Sequence, residues 1–181
     1  MWLVFASALV VLLLMEPWSA WVHRVVWHGR LWLAHRSHHR ERIGAEAGGL
    51  VANDALSAAH APVAMALILA GLLVPGAAGQ GLLGAGIGMT LFGALYVVFH
   101  DGMVHGRLPV AGLLRFRAFA AMRDAHQLHH QSNGAPFGFF ASPWVMRALG
   151  PVSPRAAPRP ARRDDAGSRS DRASSVAPSP R

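Results

Sequence analysis

Residues 55–99 read ALSAAHAPVAMALILAGLLVPGAAGQGLLGAGIGMTLFGALYVVF and hold no Asp, Glu, Lys or Arg. As one continuous helix this stretch would extend about 67 Å, more than twice the roughly 30 Å hydrocarbon core of a bilayer. It is therefore expected to cross a membrane twice. The turn is marked by Pro75-Gly76-Ala77-Ala78-Gly79-Gln80, because Pro and Gly together break helices. The expected spans are residues 55–75 and 81–99, and Gly84, Gly86, Gly88 and Gly93 would let helices approach closely.

Upstream, Trp2–Met15 is apolar, and the run extends past Glu16 and Pro17 to Val22, with Trp18 and Trp21 suited to a membrane interface. A secretory leader is the weaker reading of this segment, since no basic residue precedes the apolar run. Arginines at 24, 30, 36, 40 and 42 follow the first run, and Arg107, Arg115, Arg117 and Arg123 follow the third, whereas the 75–81 hairpin has none. By the positive-inside rule, residues 24–50 and 100–181 would face the cytoplasm, and the N-terminus and hairpin the other side. A further shallow helix within 110–150 would bring the membrane-embedded helices from three to four. The expected fold is an all-α integral membrane helical bundle.

Composition agrees with this reading. Of 181 residues, 52% are hydrophobic and 14% charged, and the mean hydropathy is +0.29, far from the charged surface of an ordinary soluble domain. There is no cysteine, which excludes disulfides, thiolate metal sites and Cys-bound iron–sulfur clusters. All 17 basic residues are Arg, so lysine Schiff-base chemistry is excluded too. Residues 1–150 form the expected membrane domain. Residues 151–181 carry seven Arg and three acids in a Pro- and Ser-rich context and are expected to be a disordered basic tail. No aromatics interleave with those arginines, so a solvated tail is expected rather than a nucleic-acid partner.

The histidines carry the chemistry. Ten of eleven fall into four groups: His23 and His28, then His35, His38 and His39, then His100 and His105, then His126, His129 and His130. The pattern is H-x4-H and H-x2-H-H, stated twice, always at the expected cytoplasmic ends of the apolar runs. On a helix each triplet can present a convergent set of imidazoles. The pairs are less regular, because five residues turn an α-helix by about 140°. Either the two His of a pair serve different ions, or the helix is locally widened or ends between them. Imidazole suits Zn, Fe, Cu and Ni. Ten imidazoles overfill one ion, but five on each of two ions leave an octahedral position open. Asp54, Asp101 and Asp124 are candidates for orienting imidazole N–H groups. His60, alone in an uncharged run, is read as structural.

These motifs, H23-R-V-V-W-H28-G, H35-R-S-H38-H39, H100-D-G-M-V-H105 and H126-Q-L-H129-H130, resemble those of the fatty acid hydroxylase superfamily. With Asn53-Asp54 and Pro136-Phe137-Gly138-Phe139-Phe140, they are most similar to its bacterial β-carotene hydroxylase branch. The resemblance covers about residues 1–145. It implies a membrane non-haem di-iron monooxygenase that uses O2 and electrons from ferredoxin. The implied reaction is hydroxylation of β-ionone rings at C-3, from β-carotene through β-cryptoxanthin to zeaxanthin. Canthaxanthin to astaxanthin is the corresponding reaction on keto rings. All ten grouped His would be iron ligands or adjacent to them, with no haem, flavin or NAD site. G84-A-G-I-G-M lies inside an apolar span rather than at the head of a nucleotide-binding helix. The substrate would arrive from the bilayer, and Phe137, Phe139, Phe140 and Trp144 are candidates for gripping its ring.

Three other readings stay open at this stage. The first is oxidation of another lipid, an acyl chain or sterol, within the same superfamily. The second is a non-catalytic membrane metal-binding or transport protein. The third, a zinc hydrolase, is disfavoured because zinc usually takes three or four protein ligands.

Overall fold

The computed structural model describes residues 1–40 and 51–149. The expected disordered tail over 151–181 lies outside the described residues. Those residues are helical throughout their regular structure: α1 (Trp2–Val22), a π-helical turn (His23–Arg30), α2 (Trp32–Arg40), α3 (Ala52–Ala58), α4 (Ala61–Leu73), α5 (Gly76–Tyr96), a second π-helical turn (Val97–Val104), a short 3-10 turn (Ala111–Arg115), α6 (Arg117–Ser132) and α7 (Ser142–Leu149). Three stretches are long and apolar enough to span a membrane: Trp2–Arg30, Ala52–Leu73 and Gly76–Val104. The protein is an integral membrane protein.

The expected turn at 75–80 is shorter than its composition suggested. Only Val74 and Pro75 interrupt the helices, and α5 already begins at Gly76, whose φ of +76° is open to glycine. Pro75 serves as the N-cap, where its missing N–H costs nothing. The expected shallow helix within 110–150 is instead two helices, α6 and α7, and neither is among the candidate spans.

Helix α5 lies between α1 and α4, and its glycines are the contact surfaces. A Cβ on Gly84 would stand 2.3 Å from the Val4 carbonyl of α1, and one on Gly86 would stand 2.8 Å from the Ala64 carbonyl of α4. Gly88 meets α1 in the same way. Between membrane helices such backbone proximity replaces the hydrophobic drive available in water. Gly84→Leu is accordingly expected to force α1 off α5, at a cost on the order of 3 kcal/mol or more. The loss would be read as a lower yield of folded protein in mild detergent.

The outer faces stay apolar. Phe5, Leu13, Leu72 and Leu73 are 70%, 65%, 66% and 83% exposed, which is a lipid-facing surface. At one end of the bundle the N-terminal amine donates to Gln80 Oε1 at 3.0 Å, so the start of α1 and the start of α5 lie together. At the opposite end the π turns, α2 and α6 carry the histidines. They are bound together by a small core of Met103, Val104, Met122 and Phe139.

Candidate metal centre

The first H-x4-H pair falls on the first π-helical turn, and in the second pair His100 lies on the second such turn and His105 caps it. In such a turn the backbone bond runs from residue i+5 back to residue i. The His105 N–H donates to the His100 carbonyl at 3.1 Å, and the Leu31 N–H to the Val26 carbonyl at 2.9 Å. This widening brings the fifth residue over the first. Of the readings left open for the pair spacing, local widening is the one observed.

Nine of the ten grouped imidazoles assemble into two sets whose ligand nitrogens lie within 4.8 Å of one another. The first set is His23, His28, His35, His39 and His129, and the second is His38, His100, His105 and His126. His130 adjoins the second set, with its Nε2 at 3.1 Å from His38 Nε2. Each pair therefore serves one set, while each triplet is divided. On α2, His35 and His39 point to the first set and His38 to the second. On α6, His129 goes to the first, and His126 and His130 to the second. The expectation of a convergent triplet is corrected here. Residues at i and i+4 share a helix face, but the residue beside them projects about 100° away and reaches the neighbouring set.

Oxygen atoms behind the rings fix their orientation. The Nδ1–H of His23 donates to the Phe137 carbonyl at 2.7 Å, and that of His129 to the Gly134 carbonyl at 2.5 Å. The Nδ1–H of His35 donates to Asn53 Oδ1 at 2.7 Å, and that of His100 to Asp101 Oδ1 at 2.6 Å. A carbonyl can only accept, so each of these imidazoles presents a bare Nε2 lone pair on its other side. His23 Nε2 and His35 Nε2 face each other at 2.9 Å. With both rings neutral and donating from Nδ1, a cation between them would satisfy both lone pairs.

The other facing Nε2 contacts span 3.1 to 3.3 Å. With metal–nitrogen bonds of about 2.1 Å, neighbouring ligands sit about 3.0 Å apart in an octahedron and about 3.4 Å in a tetrahedron. The spacing and the donor set thus fit metal ions, and the first set, with five imidazoles, exceeds the four positions of a tetrahedral site.

Electrostatics favour the same neutral form. Burial is the main cause of depressed imidazole basicity here, and neighbouring imidazoles add to it. His39 is pushed down to about 3 and His130 to about 2, in both cases by burial and then by adjacent histidines. His129 falls to about 4 through burial, against the opposing Gly134 carbonyl. His38 and His126 lie well below the usual range for the same reasons. All are unprotonated at neutral pH, as metal ligation requires.

The three candidate acids are placed differently. Asp101 holds His100. Asp54 accepts from Arg107 at 2.6 Å and from the Val51 N–H at 2.9 Å, so it caps α3 and ties the third span's end to it. Asp124 is 63% exposed and pairs with Arg123 at 2.7 Å, away from the imidazoles. The residue beside Asp54, Asn53, is 4% exposed and is the one that holds His35. Its own N–H is fixed by Ser37 Oγ at 3.2 Å, which locks α3 onto α2. Asn53→Ala is expected to weaken metal binding about 10- to 100-fold, the usual effect of losing a partner of a ligating imidazole. Metal titration of the purified protein would read this, with Asn53→Asp keeping the acceptor. Unchanged affinity in the alanine variant would contradict it.

The aromatic candidates also separate. The Phe137 ring centroid lies 5.4 Å from that of His129 and 5.3 Å from that of His28, and Phe139 lies 5.4 Å from His100. Phe140 packs one layer further out, on Phe92, Phe99 and Phe139. Trp144 is 63% exposed on α7. Sequence reasoning passed over Glu16, whose Oε1 accepts from the Phe139 and Ala141 N–H groups at 2.9 and 2.8 Å and thereby seats the loop bearing Phe137 and Phe139. An acid inside a membrane span is costly, and that cost is the clue that marks it. His60 accepts from Trp18 Nε1 at 3.1 Å and stands apart from both imidazole sets.

Comparison with known proteins places this arrangement. The family model described as fatty acid hydroxylase matches residues 8–147. The chain belongs to the fatty acid hydroxylase family. Among members of this family with curated names, "Beta-carotene hydroxylase" of Pseudescherichia vulneris is 36% identical over 183 residues, covering 96% of this chain and 98% of that one. "Beta-carotene hydroxylase 1, chloroplastic" of Capsicum annuum is 38% identical over 156 residues, covering 83% of this chain and 47% of its own length. "Beta-carotene 3-hydroxylase 2, chloroplastic" of Arabidopsis thaliana is 38% identical over 138 residues, covering 75% and 44%. The chain thus spans about half the length of the plant relatives and nearly all of the bacterial one. No solved structure matches it.

Proposed function

We propose that this protein is a membrane non-haem di-iron monooxygenase that hydroxylates carotenoid β-ionone rings at C-3, taking β-carotene through β-cryptoxanthin to zeaxanthin. The observation that carries the reading is the pair of adjacent imidazole sets at one end of three membrane spans, in a chain 36% identical, over nearly its whole length, to a bacterial protein named "Beta-carotene hydroxylase". The first iron would be held by His23, His28, His35, His39 and His129, and the second by His38, His100, His105, His126 and His130. Two irons bound there supply reductive activation of O2 for attack on an unactivated C–H bond.

The chain's own residues do the rest. Phe137 O, Asn53, Gly134 O and Asp101 hold the imidazoles in one tautomer. Phe137 and Phe139 wall the imidazole sets with apolar rings, which excludes water. Electrons come from a ferredoxin-type donor, which would approach the cytoplasmic arginines. The protein sits in the bacterial inner membrane with the imidazole sets and the basic tail toward the cytoplasm.

The test is pigment analysis of cells that accumulate β-carotene, with a ferredoxin system present. Zeaxanthin and β-cryptoxanthin are expected only when the chain is expressed. Unchanged β-carotene beside membrane-inserted protein would overturn the assignment.

A further inference from the structure

A cavity of about 560 Å3 lies among α1, α4 and α5, next to the imidazole sets. Its volume falls within the range of small-molecule sites. Its inner wall includes Met15, Phe92 and Trp27, which are 6%, 5% and 8% exposed. Its lining also includes Met65 and Val97, which are 62% and 48% exposed. These residues lie on the spans, so exposure there is exposure to lipid, and the cavity opens sideways into the bilayer.

Two rings line the cavity and also touch the imidazoles. The Tyr96 ring stacks 4.3 Å from that of His100, and Trp27 lies 5.4 Å from His35. The cavity thus borders the candidate metal centre. The charged groups at its upper end are matched within the protein, Arg107 to Asp54 and Asp101 to His100, each at 2.6 Å. A charged headgroup would find no uncompensated counter-charge here, whereas an uncharged hydrocarbon would leave nothing unpaired.

Gly93 identifies the space as kept open. It lies in α5 with Gly84, Gly86 and Gly88, each of which meets backbone of a neighbouring helix. A Cβ on Gly93 would meet nothing within 4 Å, and Gly93 lines the cavity. Helix packing does not require a glycine there.

Resting on the carotenoid reading above, we propose that this cavity receives the terminal ring of the uncharged isoprenoid substrate, entering laterally from the bilayer, and that Gly93 sets the room available to it. The rest of the polyene stays among the lipid chains.

The experiment compares wild type, Gly93→Ala, Gly93→Phe and Gly81→Leu, purified in mild detergent from cells that make β-carotene. Gly81 lies on the same helix, its Cβ also meets open space, and it is outside the cavity lining. Carotenoid and phospholipid retained per chain are measured, with metal content and thermal stability as controls. Carotenoid retention is expected to fall about tenfold or more in Gly93→Phe, because a bulky ring overfills the cavity. It should fall less in Gly93→Ala and be unchanged in Gly81→Leu, with metal content equal throughout. Should Gly93→Phe not fold, the graded loss in Gly93→Ala decides the matter.

Wild-type carotenoid retention and turnover in a folded Gly93→Phe or Gly93→Ala would overturn the inference while leaving the hydroxylase reading intact. So would loss of a bound phospholipid alone. Loss of retained carotenoid in the Gly93 variants, beside a wild type that retains carotenoid but itself forms no hydroxylated product, would uphold the cavity and overturn the reaction.

Discussion

His129→Ala is expected to end carotenoid hydroxylation and to remove metal from the first imidazole set, while the protein still inserts and folds. His129 is fully buried, its Nδ1–H is fixed on the Gly134 carbonyl, and its Nε2 lies 3.2 Å from His28 Nε2. It is α6's contribution to a set otherwise drawn from the first π turn and α2. Removing it takes a ligand from the set and detaches α6 from that set. The spans are held by α1–α5 and α4–α5 packing at the far side of the bundle, so insertion does not depend on it. Product formation should drop by at least about three orders of magnitude, the scale on which loss of a central catalytic group acts. Product analysis and metal content per chain check this together, and retained activity with full metal content would break the ligand assignment. His60→Ala is the contrast. It loses one bond to Trp18, worth about 1 kcal/mol, and its metal content should equal wild type.

Glu16→Leu is expected to fail where Glu16→Gln succeeds. One carboxylate oxygen accepts both the Phe139 and Ala141 N–H groups, and Gly138 sits so close that its Cβ would stand 2.8 Å from that oxygen. Leucine has similar bulk but no acceptor, and each stranded buried N–H costs about 1–3 kcal/mol. The loop would then leave Glu16, taking with it the Phe137 carbonyl that orients His23 and the Phe139 ring beside His100. Glutamine keeps an accepting oxygen. The expected outcome is a tenfold or larger loss of hydroxylated product in Glu16→Leu, on the scale of about 1.4 kcal/mol or more, with most of it restored in Glu16→Gln. Metal titration should show weakened binding in the leucine variant alone. Equal behaviour of leucine and wild type would show that the loop is held by other contacts.

The spans were legible because charge is absent from residues 55–99, and a bilayer punishes charge more reliably than any local propensity shapes a turn. The ten imidazoles were legible from their repeated spacing. Their division was not. Each triplet splits because adjacent residues of an α-helix project about 100° apart, and each pair stays on one set through a π turn that the H-x4-H spacing allows but does not require. Sequence reading offers Asp54 as an imidazole-orienting acid and gives Asn53 no such role. The structure gives Asp54 to Arg107 and a helix cap, and leaves the neutral amide behind His35. Carbonyl partners such as Gly134 and Phe137 carry no side-chain signature, so only the fold reveals them.

The divided triplets have a consequence for biogenesis. Each imidazole set draws on α6 and on α2, with two membrane crossings between them in the chain. A nascent chain that has emerged only as far as α5 carries four of the five imidazoles of the first set and a single one of the second. Neither set can close until the third crossing is made and α6 has folded back across the membrane face. Loading with metal is therefore a late event that follows completed topology. A ribosome-stalled intermediate ending before residue 117 would carry four imidazoles of the first set and three of the second, with neither set complete.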